Sequence, residues 1–538
     1  MKSISRIFLW LFIAGLPLVY TITSISSQDN SSAGLDSFTS IMTEDTVESF
    51  TLDNGMRFLL VNRPEVPVFS AVVLVKAGSV DEPRGKTGVA HVFEHMAFKG
   101  TTTIGTTDYT SEKIVLDRIE SIGEALTKAL SSGAPQAEID RLRNELKTAQ
   151  KSHEVFIVAN EFSKIFDSNG AKFINAGTGR DVTMYLSNMP KNRLGLWARM
   201  EADRLANPVF REFYKERDVI MEERRMGVDN DPSGHLWEEF AGIAYQTHPY
   251  GDPVIGYMDD IQNLTIMDAR QFHQIFYVPS NIAVAVVGDI SIEELRNAAE
   301  ATFGKIPLRP DPEVRIPAEP VQNAERTVIV HKGTVPELIL GWHSPNYPSV
   351  DACRLDIAAR ILAEGRSSRL YKRLVLEEGL ATDVTAYFTT FTRYPELFYI
   401  RIQPKKFDDW QQIKSITMNE IQALVTDGPG DYELKKTKKS VIAEFVRSLE
   451  SNLYLAIQLA YFEKVNGDWR VITKYLEQMD RITAADVSET VGKYLHPGIE
   501  TTGLLKPVDK LNNGNSPYKE SLHEDLKKSE VSMGGASQ

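Results

Sequence analysis

The chain has one cysteine in 538 residues, Cys353. An intramolecular disulfide is therefore excluded, as are thiolate clusters and Cys-based zinc sites, and the surrounding "DACRLDIAARIL" reads as a buried helix. Basic residues are in the minority, with 60 Lys and Arg against 73 Asp and Glu and a net charge of −13. No concentrated basic stripe is available to neutralise phosphates, so a nucleic-acid partner is excluded. Long apolar runs are also scarce. The strongest is Ile7 to Ile22, which follows Lys2 and Arg6, contains Pro17, and ends in small residues at Ser24-Ile25-Ser26. This is a secretory signal pattern with cleavage after Ser26, which places the mature chain in the periplasm or outside the cell; an uncleaved membrane anchor is the alternative.

Enough apolar residues remain, 42% of the chain, for more than one core. Residues 27–47 are polar and read as a flexible segment. Two short apolar stretches around Asn54-Gly55 predict a hairpin, and "VFSAVVLVKAG" a buried strand. Residues 113–168 carry a charged helical pattern broken at "SSGAP" (131–135), which predicts a protruding helical hairpin. Helices follow over 190–206 and 210–227, then the strand "NIAVAVVGDI" and the helix "SIEELRNAAEATFG". Prolines 307, 310, 312, 317 and 320 mark a semi-rigid linker over 306–326. Beyond it the order of elements restarts with the strand "ELILGWHSP", a helix over 350–364, the strands "ATDVTAYFTT" and "ELFYIRIQP", and helices through 495. The fold class is α+β: two diverged homologous domains, 48–305 and 327–507, each an antiparallel or mixed sheet packed with helices. The tail 508–538 is polar and reads as disordered.

Ten histidines occur in the chain, and two of them stand four apart in "HVFEHMAFKGT" (91–101). On a helix over 87–98 with Thr87 as N-cap, Val89, Val92, Phe93 and Met96 share one stripe. His91, Glu94, His95 and Phe98 lie nearly opposite. Histidines one turn apart can reach a single cation, and the glutamate between them can address a water beside it, which is the arrangement a zinc-dependent hydrolase needs. A catalytic zinc usually has three protein ligands, so one more must come from elsewhere. In "FYKERDVIMEERRMG" (213–227), Phe213, Glu216, Ile220 and Glu223 share a face, with Lys215, Asp218, Glu222 and Arg225 on another. A carboxylate set in an apolar stripe needs a partner. Glu223 and Glu216 are both candidates on this ground, ahead of Glu222.

"GVAHVFEHMAFKGT" resembles the inverted zinc signature of the pitrilysin or insulinase-like metallopeptidases, the inverzincins. The likeness continues through "NAGTGRDVTMY", "ERDVIMEE", "HPYGDPVIG", "YVPSNIAVAVVGD" and "SSRLYKRLVLEEGLATDV", covering about 48 to 495. The resemblance implies a zinc endopeptidase of bacterial type with one Zn2+ per chain, held by His91, His95 and Glu223. Glu94 becomes the base that activates water, and Glu216 an outer carboxylate. It also implies that the two halves, paired again in a dimer, enclose a chamber that admits unfolded peptides and excludes folded proteins. Phe173, Asn175, Ala176, Gly177 and Thr178 resemble the family's substrate-binding edge strand, to which a peptide adds as an extra strand.

Two departures stand out. The segment 113–168 separates His95 from Glu223 by 128 positions, longer than is usual in the family. It reads as a lid, a partner contact or chamber wall, or a solvated hairpin without a specific role. In the second half Val375 and Thr382 replace an arginine and a tyrosine that family members aim at the substrate, and "ARILA" (359–363) replaces the metal motif. The chain is then expected to be the zinc-bearing subunit of a heterodimer whose homologous partner supplies the Arg and Tyr, with a homodimer as the alternative. Arg366, Arg369, Tyr371 and Arg373 are candidate substitutes. A non-catalytic assembly subunit and a peptide binder without turnover are the competing functions.

Overall fold

A computed structural model describes residues 46–508. The signal segment 1–26, nearly all of 27–47 and the tail after Val508 lie outside the described residues. No helix among the described residues is long and apolar enough to cross a membrane.

The first half builds a six-stranded sheet from β1 (Glu48–Thr51), β2 (Arg57–Asn62), β3 (Val68–Val75), β4 (Phe173–Thr178), β5 (Thr183–Pro190) and β6 (Ile282–Gly288), in the order β1-β2-β6-β3-β5-β4. Neighbours are antiparallel except β2 and β6. The β1–β2 turn falls at Asn54-Gly55, where Gly55 takes a positive φ of 89°. The Asn54 side-chain amide donates to the carbonyls of Phe303 and Ile306, fastening the turn to the start of the linker.

The second half builds a five-stranded sheet from β7 (Arg326–His331), β8 (Glu337–Ser344), β9 (Ala381–Tyr387), β10 (Glu396–Pro404) and β11 (Thr501–Lys506), in the order β7-β11-β8-β10-β9. Element for element this is the order β2-β6-β3-β5-β4, and again only the first pair, β7 and β11, is parallel. β7 and β11 have no counterpart among the strands read from the sequence. β11 carries a glycine within its six residues, which weakens its pattern, while β7, RTVIVH, has a strand-like composition but directly follows the proline-rich stretch and buries only Val330.

The halves interlock. Leu59, Val61, Val72, Leu74, Ala283, Ala285 and Val287 on one face of the first sheet share a core with the second half, whose helix Asn452–Val465 crosses β3 and β6. Reciprocally, the first-half helix Pro232–Ala244 crosses β7 and β11. Its Phe240 is fully buried over Gly341, where a Cβ would collide with the ring, and over Gly503, where one would crowd it. Each sheet thus has one face covered by its own helices and the other by a helix from the opposite half. Between them, 307–325 holds no helix or strand. Glu319 pins this linker by accepting the backbone N–H groups of Gln246, Thr247 and His248.

The hairpin differs from its prediction. It begins at Tyr109, capped by Asp108, and runs as two helices, Tyr109–Ser131 and Gln136–His153, followed by a separate short helix, Glu161–Ser168. Its two long helices pack chiefly against each other. Ile119, Leu126, Ile139, Leu142 and Leu146 enter the first-half core. A Cβ on Gly123 would stand 1.8 Å from the Tyr214 hydroxyl, so the glycine is what lets the first hairpin helix lie against the helix Phe213–Arg224.

Candidate metal centre

The motif helix is Val89–Met96. It starts two residues later than its sequence pattern suggests, because Gly88, at φ 88°, precedes it in a left-handed conformation that Thr87 could not adopt without strain. Thr87 does not cap; its hydroxyl donates to Asp260 instead. The cap comes from a residue that no sequence motif marks. The Glu82 carboxyl oxygens accept the N–H groups of Gly88 and Ala90, both at 2.8 Å, satisfying donors at the helix start that have no partner within the helix. Val92, Phe93 and Met96 are fully buried on the core side. His91 and Glu94 are buried too, so the polar stripe faces an interior site and not bulk water.

The helix Phe213–Arg224 lies alongside, and Glu223 and Glu216 reach the two histidines. Glu223 Oε2 stands 3.8 Å from His91 Nε2 and 3.8 Å from His95 Nε2. These separations are too long for hydrogen bonds. They are close to the spacing, roughly 3.3 Å, that a tetrahedral zinc ion imposes on ligand atoms at its usual bond lengths. One atom from each of the three residues lies within 4.8 Å of the others, so this donor set fits a zinc ion. Burial, with the neighbouring His95, depresses the His91 pKa to about 3, keeping the ring neutral as a metal ligand must be.

His95 Nδ1 lies 3.3 Å from Glu216 Oε2, while Lys99 Nζ bonds the other oxygen at 2.5 Å. Although burial works in the opposite direction, the hydrogen bonds from His95 and Lys99 hold the Glu216 pKa at about 2. The carboxylate therefore accepts, the Nδ1–H donates, and the His95 Nε2 lone pair is turned to the site. Burial also opposes protonation of His95, but the Glu216 hydrogen bond and the charges of Glu94 and Glu223 outweigh it and raise its pKa.

Glu94 is positioned by the substrate-strand candidate. The Thr178 hydroxyl donates to Glu94 Oε2 at 2.7 Å, and the Thr178 backbone also hydrogen-bonds the carboxylate. Burial raises the Glu94 pKa, opposed by His95 and by this hydrogen bond. Thr178, expected from sequence among the peptide-binding residues, thus spends its side chain on Glu94, and Ala176 is buried as well. Phe173, Asn175 and Gly177 keep partial exposure. β4 pairs only with β5, which leaves its outer edge without a strand partner among the described residues.

In the second half, Val375 packs against its own core and the Thr382 hydroxyl donates to Gln403. Arg369 is paired with Glu433, and Arg373 with Glu377 and Glu378.

With this geometry in place, comparison with known proteins gives two family matches: "Insulinase (Peptidase family M16)" over residues 57–134 and "Peptidase M16 inactive domain" over 263–441. The chain is 29% identical over 470 residues to "Zinc protease PqqE" of Helicobacter pylori, covering 86% of this chain and 93% of that one. The chain carries insulinase-like M16 peptidase domains. An uncharacterized zinc protease of Mycobacterium leprae is 25% identical over 83% of the chain and 88% of its own length. Among solved structures, a protease from Helicobacter pylori superposes with a TM-score of 0.70 at 28% identity, over 86% of this chain and 99% of that one. The first half of the periplasmic protease PqqL from Escherichia coli shares the fold, with a TM-score of 0.63 at 19% identity over 86% and 92% of the two chains. In M16 terms the metal-type half comes first and the "inactive" half second. The first family match ends at 134, inside the helical hairpin.

Proposed function

We propose that this M16 chain is the zinc-bearing subunit of an endopeptidase that hydrolyses unfolded peptides. The observation that carries the reading is the convergence of His91, His95 and Glu223 beside a buried Glu94. A zinc ion in that setting supplies Lewis acidity to a carbonyl oxygen and makes a neighbouring water acidic near neutral pH. Glu94, held by Thr178, takes the water proton and passes it to the departing amine nitrogen. Glu216 and Lys99 hold His95 in one tautomer throughout. The open edge of β4 aligns an extended peptide through main-chain hydrogen bonds, with Phe173, Asn175 and Gly177 partly exposed beside it, so sequence preference is loose.

A homologous partner completes the site with the arginine and tyrosine that Val375 and Thr382 do not provide. This is supported by the engagement of Arg369 and Arg373 with carboxylates of their own half. The secretory pattern at the N-terminus, together with the likeness to the periplasmic protease PqqL of Escherichia coli, supports a periplasmic or secreted location. To test the reading, the chain is purified alone and given a quenched peptide. Bound zinc with only weak turnover is the predicted result. Robust zinc-dependent turnover without a partner overturns the heterodimer, and absence of zinc after gentle purification overturns the metal site.

A further inference from the structure

The two helices that carry the ligands come from segments more than a hundred residues apart, and one side chain joins them. Arg211 lies two residues before the helix Phe213–Arg224 and is 1% exposed. All five of its N–H donors have acceptors. Nε and Nη2 donate to the two oxygens of Glu112 at 2.6 and 2.9 Å. Nη1 donates to the carbonyls of Lys99 and Ile104, and Nη2 to that of Thr101. Those three carbonyls belong to the loop that leaves the motif helix. The loop is shaped to the guanidinium: Gly100 and Gly105 have φ of 89° and 86°, and a Cβ on either would come within 3.1 or 3.2 Å of Nη1.

The other end of the network is the hairpin. Glu112, in the first turn of Tyr109–Ser131, is fully buried, and His153, at the end of Gln136–His153, places Nε2 2.8 Å from Glu112 Oε1. The hairpin leaves and rejoins the fold side by side through the Thr106–Ile157 bridge, next to this cluster. A buried ion pair is a poor source of net stability, since desolvation offsets most of its attraction. What five directional bonds do supply is a fixed distance between the segments they join.

We propose that Arg211 is a positioning residue for the metal centre, and that the helical hairpin serves as its brace through Glu112 and His153. The hairpin sets the separation of His91 and His95 from Glu223 without touching the metal. The inference rests on the zinc reading above. If wild-type chain binds no zinc, that reading fails; if wild type binds zinc and the variants below bind it equally well, only this inference fails.

The test is zinc affinity of the full chain, measured by competition with a chromophoric chelator, for Arg211→Lys and Glu112→Gln. Val487→Ala, a core substitution in the second half, serves as the control for general loss of stability. Arg211→Lys keeps the charge but cannot serve five acceptors. We expect both folded variants to bind zinc at least about tenfold more weakly, as when an outer partner of a metal ligand is lost, with the control unchanged. Wild-type affinity in a folded variant, or an equal loss in the control, overturns the inference. If neither variant folds, wild-type protein decides. Coupling is reciprocal, so zinc must slow amide exchange in the hairpin helices; unchanged exchange there overturns the brace.

Discussion

The helices Val89–Met96 and Val350–Ala363 follow equivalent strands, β3 and β8, in sheets of the same strand order, yet their matching positions differ in kind. The first presents His91, Glu94 and His95; the second presents Ala359, Leu362 and Ala363, all buried in a hydrophobic core. The difference teaches what each half is for. A buried polar stripe is tolerable in the first half because a second helix brings Glu216 and Glu223 to meet it and Thr178 satisfies Glu94. In the second half no such partners are needed, and the same helical slot is filled by packing. That half is indispensable for another reason, since its helix Asn452–Val465 seals one face of the sheet that carries the site.

The sharpest way to break this contrast is Glu94→Gln. On the proposed reading we expect peptide cleavage to fall about 10²–10⁴-fold, the worth of a general base, with zinc still bound; retained turnover would show that the chemistry is not confined to the first-half helix. Phe240→Ala attacks the interlock. It should cost about 3–5 kcal/mol and lower the unfolding midpoint of both halves in one transition, whereas two separate melts would show the halves to be independent. Glu216→Gln is milder. It leaves His91, His95 and Glu223 in place but weakens the grip on His95, so zinc affinity should drop roughly 10–100-fold, measured by chelator competition.

The smallest effect concerns pH. The Glu112 carboxyl, despite the opposing effect of burial, is held down to about 2 by His153 and Arg211, against an ordinary value of 4.5. Its folded pKa is depressed, so the stability it contributes is fully present above the ordinary value and is lost as pH falls toward 2. Over that window wild-type unfolding stability should decline relative to Glu112→Gln, and parallel curves would contradict the buried network.

Much of this was legible in the sequence where periodicity is strong. The i,i+4 histidines, the Glu216–Glu223 face, the buried strands β3 and β6 and the repeat of element order all stand in the structure as local pattern implied. What was not legible depends on distant segments. β7 and β11 are short and acquire their identity only by pairing with each other and with β8. Glu82 caps a helix across a loop, and Arg211 works through carbonyls more than a hundred residues away. Thr178 lies on the predicted strand, but the face its side chain takes follows from where the motif helix packs. The seam between the two hairpin helices is hard to read as well, because its buried residues, such as Leu142 and Leu146, are widely spaced among solvated ones.

The central claim is that the metal chemistry resides in one half only. Its most direct test is a zinc count by elemental analysis of the purified full-length chain and of the His91→Ala/His95→Ala double variant. One zinc per wild-type chain and essentially none in the variant is the predicted result; zinc retained by the variant, or a second equivalent in the wild type, would contradict it.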